Sequence, residues 1–326
     1  MPFWLLVIVS VVSSVGTVIT LRVIAPLLSS AGLTGEDLHK KDKPEIPEMG
    51  GLGLLVGITG GIVIAIGAEA FLNIGTNIVP LFAVLSTVLI VSIIGVFDDL
   101  LDISQLVKSI TPLFAALPLM AIRVGVTTLK IPFDGSLELG ILYPLLLVPI
   151  GVTGAANAVN MLAGFNGMEV GVGLIAYSSL AIVAMVTGSH TALLILVGGV
   201  GALVGALWFN WCPAKILIGD VGTLTIGALM ASAVVIGNFE LAGVVVIVPY
   251  FLDFLLKASA GFPSRGWEGD LDDQGRLHCP EGIRPVSLPQ LVMRVSGGVY
   301  ERTLTKVIMG LETIAGTFAV LLYVIW

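Results

Sequence analysis

Long apolar runs alternate with short polar stretches along the whole chain. Each run approaches the roughly 20 residues that an α-helix needs to cross a bilayer. We therefore predict an all-α polytopic membrane protein with about ten transmembrane helices, forming one integral membrane domain over residues 1–326. The runs lie at 3–28, 51–72, 78–97, 109–124, 140–157, 169–188, 191–210, 221–238, 241–260 and 304–326. The first lacks the basic flank and cleavage pattern of a signal peptide, so we interpret it as a membrane anchor.

Lysine and arginine are concentrated in one of the two sets of connecting loops. Only Arg123 and Lys130 fall in the other set. Because basic residues are retained on the cytoplasmic side of a membrane, the basic loops are predicted to be cytoplasmic and both termini external. The cytoplasmic loops are then those at about 29–50, 98–108, 157–168, 211–220 and 261–303.

Two connections differ from simple turns. Residues 125–139 alternate around Asp134-Gly135 and predict a small external β-hairpin. The last cytoplasmic loop has about 40 residues, too many for a connector, so we expect it to contact substrate. Composition agrees with a membrane protein, since 56% of the residues are hydrophobic and 11% are charged.

A first polar cluster ends the third apolar run. Asp98 and Asp99 are adjacent, and Asp102 returns to their side of a helix. Close carboxylates are unfavourable unless a cation is present, so the cluster suits a divalent metal with a phosphate, or a carboxylate base. Lys108 follows where an ammonium could meet a phosphate oxygen. The alternative is a solvated helix end with anchoring charges.

A second cluster, NAVNMLAGFNGMEVG, covers residues 157–171. Asn157 and Asn160 are three residues apart and offer neutral oxygens suited to Mg²⁺ or to substrate. The turn-prone segment with Gly164 and Asn166 could approach a flat ring or a phosphate closely. Ordinary turn chemistry between two helices is the competing interpretation.

A third element places Asp220 at the start of the eighth run. Gly219 precedes it, and Gly222 and Thr223 follow, so another helix or a ligand could come close. One acidic residue is weak evidence alone. Its weight comes from the topology, which puts it at the same membrane face as the two other clusters.

Together these strings, with HKKDKPEIPEMGG at 39–51, resemble the polyprenyl-phosphate N-acetylhexosamine-1-phosphate transferases of glycosyltransferase family 4. That family includes the bacterial enzyme that makes lipid I and the eukaryotic enzyme that starts dolichol-linked N-glycan assembly. The strings look closest to the archaeal and eukaryotic dolichyl-phosphate branch. The resemblance implies transfer of an N-acetylhexosamine 1-phosphate, with GlcNAc favoured, from a UDP-sugar to polyprenyl or dolichyl phosphate, with release of UMP.

The same resemblance implies Mg²⁺ as cofactor, with Mn²⁺ as an alternative. It places Asn160 and Asp220 on the metal, Asp98 and Asp99 beside the lipid phosphate, and Lys108 on phosphate oxygens. We favour direct attack by the lipid phosphate over an aspartyl-phosphate intermediate. Besides the two substrates, membrane lipid and a homodimer partner are compatible with the resemblance, and no nucleic-acid partner is expected.

For the nucleoside, the resemblance implies uracil contacts at Gly164 and Asn166, completed by Leu38 and Glu48 of the first inner loop. The last inner loop departs from the family. It lacks the bacterial His-rich motif and the eukaryotic Arg-His-Arg motif and reads PSRGWEGDLDDQGRLHCPEGIRP over 263–285. We expect Arg265 to contact the pyrophosphate, against the alternative of a membrane-anchoring charge. This divergence leaves the sugar open.

Two rival classes of membrane protein fit the sequence less well. A transporter would carry ionisable residues midway along its spans, and only Glu69, Asp253 and Glu312 come near such positions. An intramembrane protease of the Gly-x-Gly-Asp type would use Asp220, but Leu217 stands where the first glycine is needed.

Overall fold

The computed structural model describes residues 1–101, 103–125, 127–131, 135–263 and 266–325. It is a bundle of apolar helices with three small hairpins. The helices are α1 (Phe3–Ser30), α2 (Gly51–Leu72), α3 (Ile78–Leu101), α4 (Gln105–Ile110), α5 (Pro112–Ala115), α6 (Leu117–Ala121), α7 (Val148–Leu162), α8 (Met168–Val186), α9 (His190–Asn210), α10 (Gly219–Gly237), α11 (Glu240–Val246), α12 (Val248–Ser259), α13 (Leu288–Ser296) and α14 (Glu301–Ile325). A π-helical turn, Tyr143–Leu147, leads into α7.

The membrane class is confirmed, whereas the count of ten spans is not. Among the described residues, eight helices are long and apolar enough to cross a bilayer, or nine if α11 and α12, bent by 55°, form one span. The predicted fourth span is broken into α4, α5 and α6. Pro112 and Pro118 stand at the starts of α5 and α6, where a residue without an N–H fits.

Helix α10 lies at the centre of the bundle, and its neighbours approach it at glycines. A Cβ added at Gly51 of α2 would lie 2.1 Å from the backbone nitrogen of Gly222 on α10. A Cβ added at Gly95 of α3 would lie 2.4 Å from the Cα of Val221. Small residues allow such close packing of membrane helices. The same packing brings the end of α3, with its aspartates, against the start of α10, with Asp220.

Three antiparallel hairpins occur in the connections. The loop between α1 and α2, called the first loop, forms β1 (Thr34–Glu36) and β2 (Glu45–Pro47), the predicted hairpin is β3 (Thr128–Ile131) with β4 (Gly135–Glu138), and the last loop contains β5 (Asp270–Leu271) and β6 (Leu277–His278). The hairpin at 125–139 is thus confirmed, although Asp134 of its turn lies outside the described residues. No membrane side is assigned to it by the fold alone.

Backbone hydrogen bonds join the first loop to the segment before α10. The Leu217 N–H donates to the Pro47 carbonyl at 2.8 Å, and the Gly50 N–H donates to the Leu217 carbonyl at 2.8 Å. The Gly51 N–H donates to the Ile218 carbonyl, also at 2.8 Å. The first loop is therefore fixed beside Asp220 although about 170 residues separate them in sequence.

Candidate active site

A polar cavity of about 320 Å³ lies where the first loop, the ends of α3 and α7, the segment before α8 and the start of α10 meet. Most residues predicted to form the site line it. These are Leu38, Glu48, Asp99, Asn160, Gly164, Asn166 and Asp220. Four separate sequence regions therefore converge on one space, as the resemblance implied.

Lys108 connects two of the predicted carboxylates. Its Nζ lies 2.6 Å from Oδ2 of Asp98, which is 8% exposed, and it also donates to the carboxylate of Asp220. α4 carries Lys108, α3 carries Asp98 and α10 carries Asp220. The ion pairs thus tie three helix ends together and hold an ammonium group beside the cavity.

Asp99 has a different environment from Asp98. Its two carboxylate oxygens accept the backbone N–H groups of Asp220, at 2.7 Å, and Val221, at 3.2 Å. These N–H groups belong to the first turn of α10, which has no intrahelical partners for them. Asp99 therefore caps α10 from a neighbouring helix, and a carboxylate also suits the positive end of the helix dipole.

The oxygen donors suit a hard divalent cation. Thr223 donates to Oδ1 of Asn160 at 3.2 Å, which places this amide oxygen next to the start of α10 and Asp220. Asp98 and Asp220 share one ammonium, and Asp99 adds a third carboxylate beside Asp220, which leaves an excess of negative charge when all are ionised. Carboxylate and amide oxygens are the ligands that such cations prefer. The donor set therefore fits a metal held mainly by Asn160 and Asp220.

The environment of Glu48 contains the same excess of negative charge. Its carboxyl lines the cavity from the first loop. Burial raises its pKa above the ordinary glutamate value, and the charge of Asp220 raises it further. A cation entering the cavity would relieve this repulsion.

A second network surrounds Asn166. Its side-chain nitrogen donates to Oδ2 of Asp37 at 2.8 Å, and its backbone N–H donates to Oε1 of Glu301 at 2.8 Å. Lys40 lies 3.2 Å from Oδ2 of Asp37 and also pairs with Glu301. Asp37, His39 and Glu301 also lie close enough to chelate a metal. Because the Lys40 ammonium already supplies a cation there, these carboxylates need no metal to balance their charge.

Aromatic side chains form one wall of the cavity. The His39 ring stacks on Phe165, with centroids 4.3 Å apart, and Trp267 meets the edge of Phe165 at 5.9 Å. A Cβ added at Gly164 would lie 2.2 Å from the Trp267 ring, and the φ of Gly164 is +117°. Burial lowers the pKa of His39 despite the nearby acids Glu301 and Asp37. His39 is therefore neutral near pH 7.

Among the described residues, three predicted site residues do not line the cavity, namely Asp98 and Lys108, which pair beside it, and Asn157. Asn157 donates to the carbonyls of Ser109, at 3.0 Å, and Thr153, at 2.9 Å, and so links α7 to α4 instead of lining the cavity. Arg265 lies outside the described residues, as does Asp102. The proposed pyrophosphate contact of Arg265 stays a prediction.

Sequence reasoning missed several residues around the cavity. It did not single out Asp37, His39, Phe165, Trp267 or Glu301. No spacing rule connects them, since Glu301 begins α14 and Asp37 belongs to the first loop. The sequence offered one signal for this group, the aromatic residue Trp267 in the divergent last loop. Only the fold shows that Trp267 lies against Gly164.

An apolar cavity of about 390 Å³ shares two helices with the polar one. Gly151, Gly154 and Ala158 of α7 line it, opposite residues such as Met230 of α10 and Phe254 of α12. On α7, Ala158 lines the apolar cavity and Asn160 the polar one. Ala158 and Asn160 are only about 3 Å apart along the axis of α7, but they point about 200° apart around it, so the two cavities border different sides of this helix.

Known proteins are similar to this chain over most of its length. A model of glycosyl transferase family 4 matches residues 81–238. A protein of Sulfolobus acidocaldarius is 35% identical over 312 residues, covering 95% of this chain and 94% of that protein. One of Saccharolobus solfataricus is 35% identical over 290 residues, covering 88% and 87%. Both carry the provisional name UDP-N-acetylglucosamine–dolichyl-phosphate N-acetylglucosaminephosphotransferase. A Dictyostelium discoideum protein carries this name unqualified and is 28% identical over 274 residues, covering 71% and 66%.

Proposed function

The chain belongs to glycosyl transferase family 4, and on this premise we propose that it transfers N-acetylglucosamine 1-phosphate from UDP-N-acetylglucosamine to a polyprenyl phosphate of the dolichyl type. UMP is the second product. The relatives' names support both substrates. The observation that carries the proposal is the polar cavity in which Asp99, Asn160 and Asp220 stand beside the Lys108 ammonium.

Mg²⁺ is the cation that we propose for the oxygen donors at Asn160 and Asp220, with Mn²⁺ as an alternative. A divalent ion bound there would neutralise charge on the diphosphate and on the departing UMP. Asp98 then has a distinct role, because it holds Lys108 in place from the other side. Asp99 positions Asp220 through the backbone of α10.

The reaction needs little proton transfer from the protein. An oxygen of the lipid phosphate attacks the β-phosphorus of the UDP-sugar, a new P–O bond forms, and the bond between β-phosphorus and the UMP oxygen breaks. A phosphate monoester is largely dianionic near neutral pH, so its oxygen is already nucleophilic. The Lys108 ammonium can exchange its hydrogen bond to Asp220 for hydrogen bonds to phosphate oxygens as negative charge develops on those oxygens. We therefore favour direct attack, without a covalent aspartyl intermediate.

The apolar cavity provides a place for the isoprenoid chain of the acceptor. Its wall on α7 is smooth because Gly151 and Gly154 carry no side chains, and an added Cβ would meet no atom within 4 Å at either position. A chain lying there would run beside α7 and α10, the two helices that carry Asn160 and Asp220.

We further propose that the polar cavity faces the cytoplasm and that both termini are external. The concentration of lysine and arginine in the loops around the cavity supports this orientation. Nucleotide sugars are cytoplasmic metabolites, so the donor would reach the cavity directly from that side. The whole chain acts as one membrane domain in this proposal.

The decisive experiment measures UMP release by purified protein with Mg²⁺, a polyprenyl phosphate and a panel of UDP-sugars. We expect release with UDP-N-acetylglucosamine and its loss in Asp220→Asn. Asp42→Asn, in the exposed tip of the first loop, is the matched control and should retain activity. Absence of release with every donor would contradict the proposed function. Full activity of Asp220→Asn would contradict the metal assignment alone.

A further inference from the structure

The side-chain amide of Asn166 is held in one orientation. Asn166 is 3% exposed and lines the polar cavity. Its backbone N–H donates to Glu301 at 2.8 Å, and its carbonyl accepts from Oγ1 of Thr305 at 3.2 Å. The side-chain nitrogen donates to Oδ2 of Asp37 at 2.8 Å. Main chain and side chain are therefore both fixed by neighbouring groups.

Asp37 determines which end of the amide faces the ligand. Its carboxylate pairs with the Lys40 ammonium, and an ionised carboxylate can only accept hydrogen bonds. If the Asn166 amide turned over, its oxygen would face the oxygens of Asp37, and two acceptors would repel each other. Oδ1 of Asn166 has no partner among the described residues, so it is the group left for a ligand.

From these contacts we propose that Asp37 is a positioning residue that makes the cavity select uracil over cytosine. The inference rests on the proposed function, because it assumes a nucleoside diphosphate sugar as donor. Leu38, Phe165 and Leu217 line the same cavity and provide apolar walls for a flat base. Uracil carries a hydrogen on N3 and can donate to Oδ1 of Asn166. Cytosine has a lone pair on N3 and would place an acceptor against an acceptor.

The size of the effect follows from the hydrogen bond that cytosine cannot make. A site built to pair one polar group rejects a ligand that leaves that group unpaired. We expect the wild-type protein to bind UDP at least about tenfold more tightly than CDP, equivalent to about 1.4 kcal/mol. In Asp37→Asn, the amide at position 37 can donate or accept, so the Asn166 amide can adopt either orientation. The preference should then fall to about threefold or less, equivalent to about 0.7 kcal/mol.

The test is calorimetric titration of the purified, full-length protein with UDP and with CDP in the presence of Mg²⁺. Asp42→Asn, an exposed carboxylate of the same loop, is the matched control and should keep the wild-type ratio. If Asp37→Asn cannot be purified in folded form, Asp37→Ser carries the same test, because a hydroxyl also donates and accepts. The ratio of the two affinities is the readout, since a purely structural defect would weaken UDP and CDP alike.

A falling ratio in the Asp37 variants with an unchanged ratio in the control supports the inference. An unchanged ratio in the Asp37 variants, including equal weakening of both ligands, overturns it, as does a wild-type protein without preference for UDP. UMP release by the wild-type protein tests the proposed function separately. Active enzyme with an unaltered ratio in the variants would therefore reject the role of Asp37 and leave the transferase activity standing.

Discussion

The cap that Asp99 provides for α10 gives the sharpest test of how the site is assembled. Asp99→Ala removes both acceptors of the Asp220 and Val221 N–H groups. The start of α10 should loosen, and Asp220 with it. Asp99→Asn retains one carbonyl oxygen, so it should keep one of the two hydrogen bonds while losing the charge.

The magnitude follows from the two contacts. A hydrogen bond to a charged group contributes about 1.5–3 kcal/mol, and loss of a helix cap costs about 0.5–2 kcal/mol. Water from the polar cavity can reach the freed N–H groups of Asp220 and Val221 and offset part of the loss. We expect Asp99→Ala to lower the free energy of unfolding by about 2–4 kcal/mol and Asp99→Asn by about half as much.

The assay is thermal unfolding of purified variants in one detergent at one heating rate, because membrane proteins commonly unfold irreversibly. Asp42→Ala, in the exposed part of the first loop, is the control for removing a carboxylate and should leave the apparent Tm unchanged. An Asp99→Ala protein as stable as the control would refute the cap. The result would then favour a role of Asp99 in substrate contact alone.

Three further predictions test other parts of the molecule. Gly164→Ala should weaken UDP binding, measured by titration, because the φ of residue 164 is +117° and the added Cβ would meet the Trp267 ring. Adding Trp267→Ala should remove the clash with the ring but not the backbone strain, so binding should recover only in part. Gly154→Leu, which fills the apolar cavity, should raise the KM for polyprenyl phosphate by about tenfold, the effect of losing about 1.4 kcal/mol of binding. Gly67→Leu on α2 is the control, because a Cβ added there also meets no atom within 4 Å, and it should leave the KM unchanged. Equal KM values for the two variants would exclude the cavity as the acceptor site. Burial lowers the pKa of His39, so as the pH falls the unfolded chain takes up a proton near pH 6.5 before the folded protein does. The apparent Tm should therefore decrease as the pH is lowered below about 6.5. His39→Phe should show a smaller decrease, and an identical decrease would assign the pH dependence to other groups.

Local patterns in the sequence contained much of the site. Asp98, Asp99 and Asp220 stand where apolar runs end or begin, and an acidic residue at a lipid boundary has few purely structural reasons to be there. The partners of these residues were not predictable. That Asp99 would cap α10, whereas its neighbour Asp98 would hold Lys108, depends on how α3 packs against α10.

The unconfirmed span count and the missed residues have different physical origins. One reason that the count of ten spans is unconfirmed lies in 109–124, where Pro112 and Pro118 interrupt helical hydrogen bonding. Asp37 and Glu301 contact the same asparagine from opposite ends of the chain. Such contacts follow from tertiary packing, which hydrophobic periodicity does not encode.

The relation between the two cavities explains why the polar residues gather at helix ends. An isoprenoid chain is stable in an apolar environment, and its phosphate is not. The nucleotide sugar has the opposite preference. A reaction between them must therefore take place where an apolar surface and a polar cavity are close together, and both cavities are lined by α7 and α10. On α10, Met230 lines the apolar cavity and Thr223 the polar one. Carboxylates placed deeper would bury charge away from both phosphates, and carboxylates placed further out would not reach the acceptor.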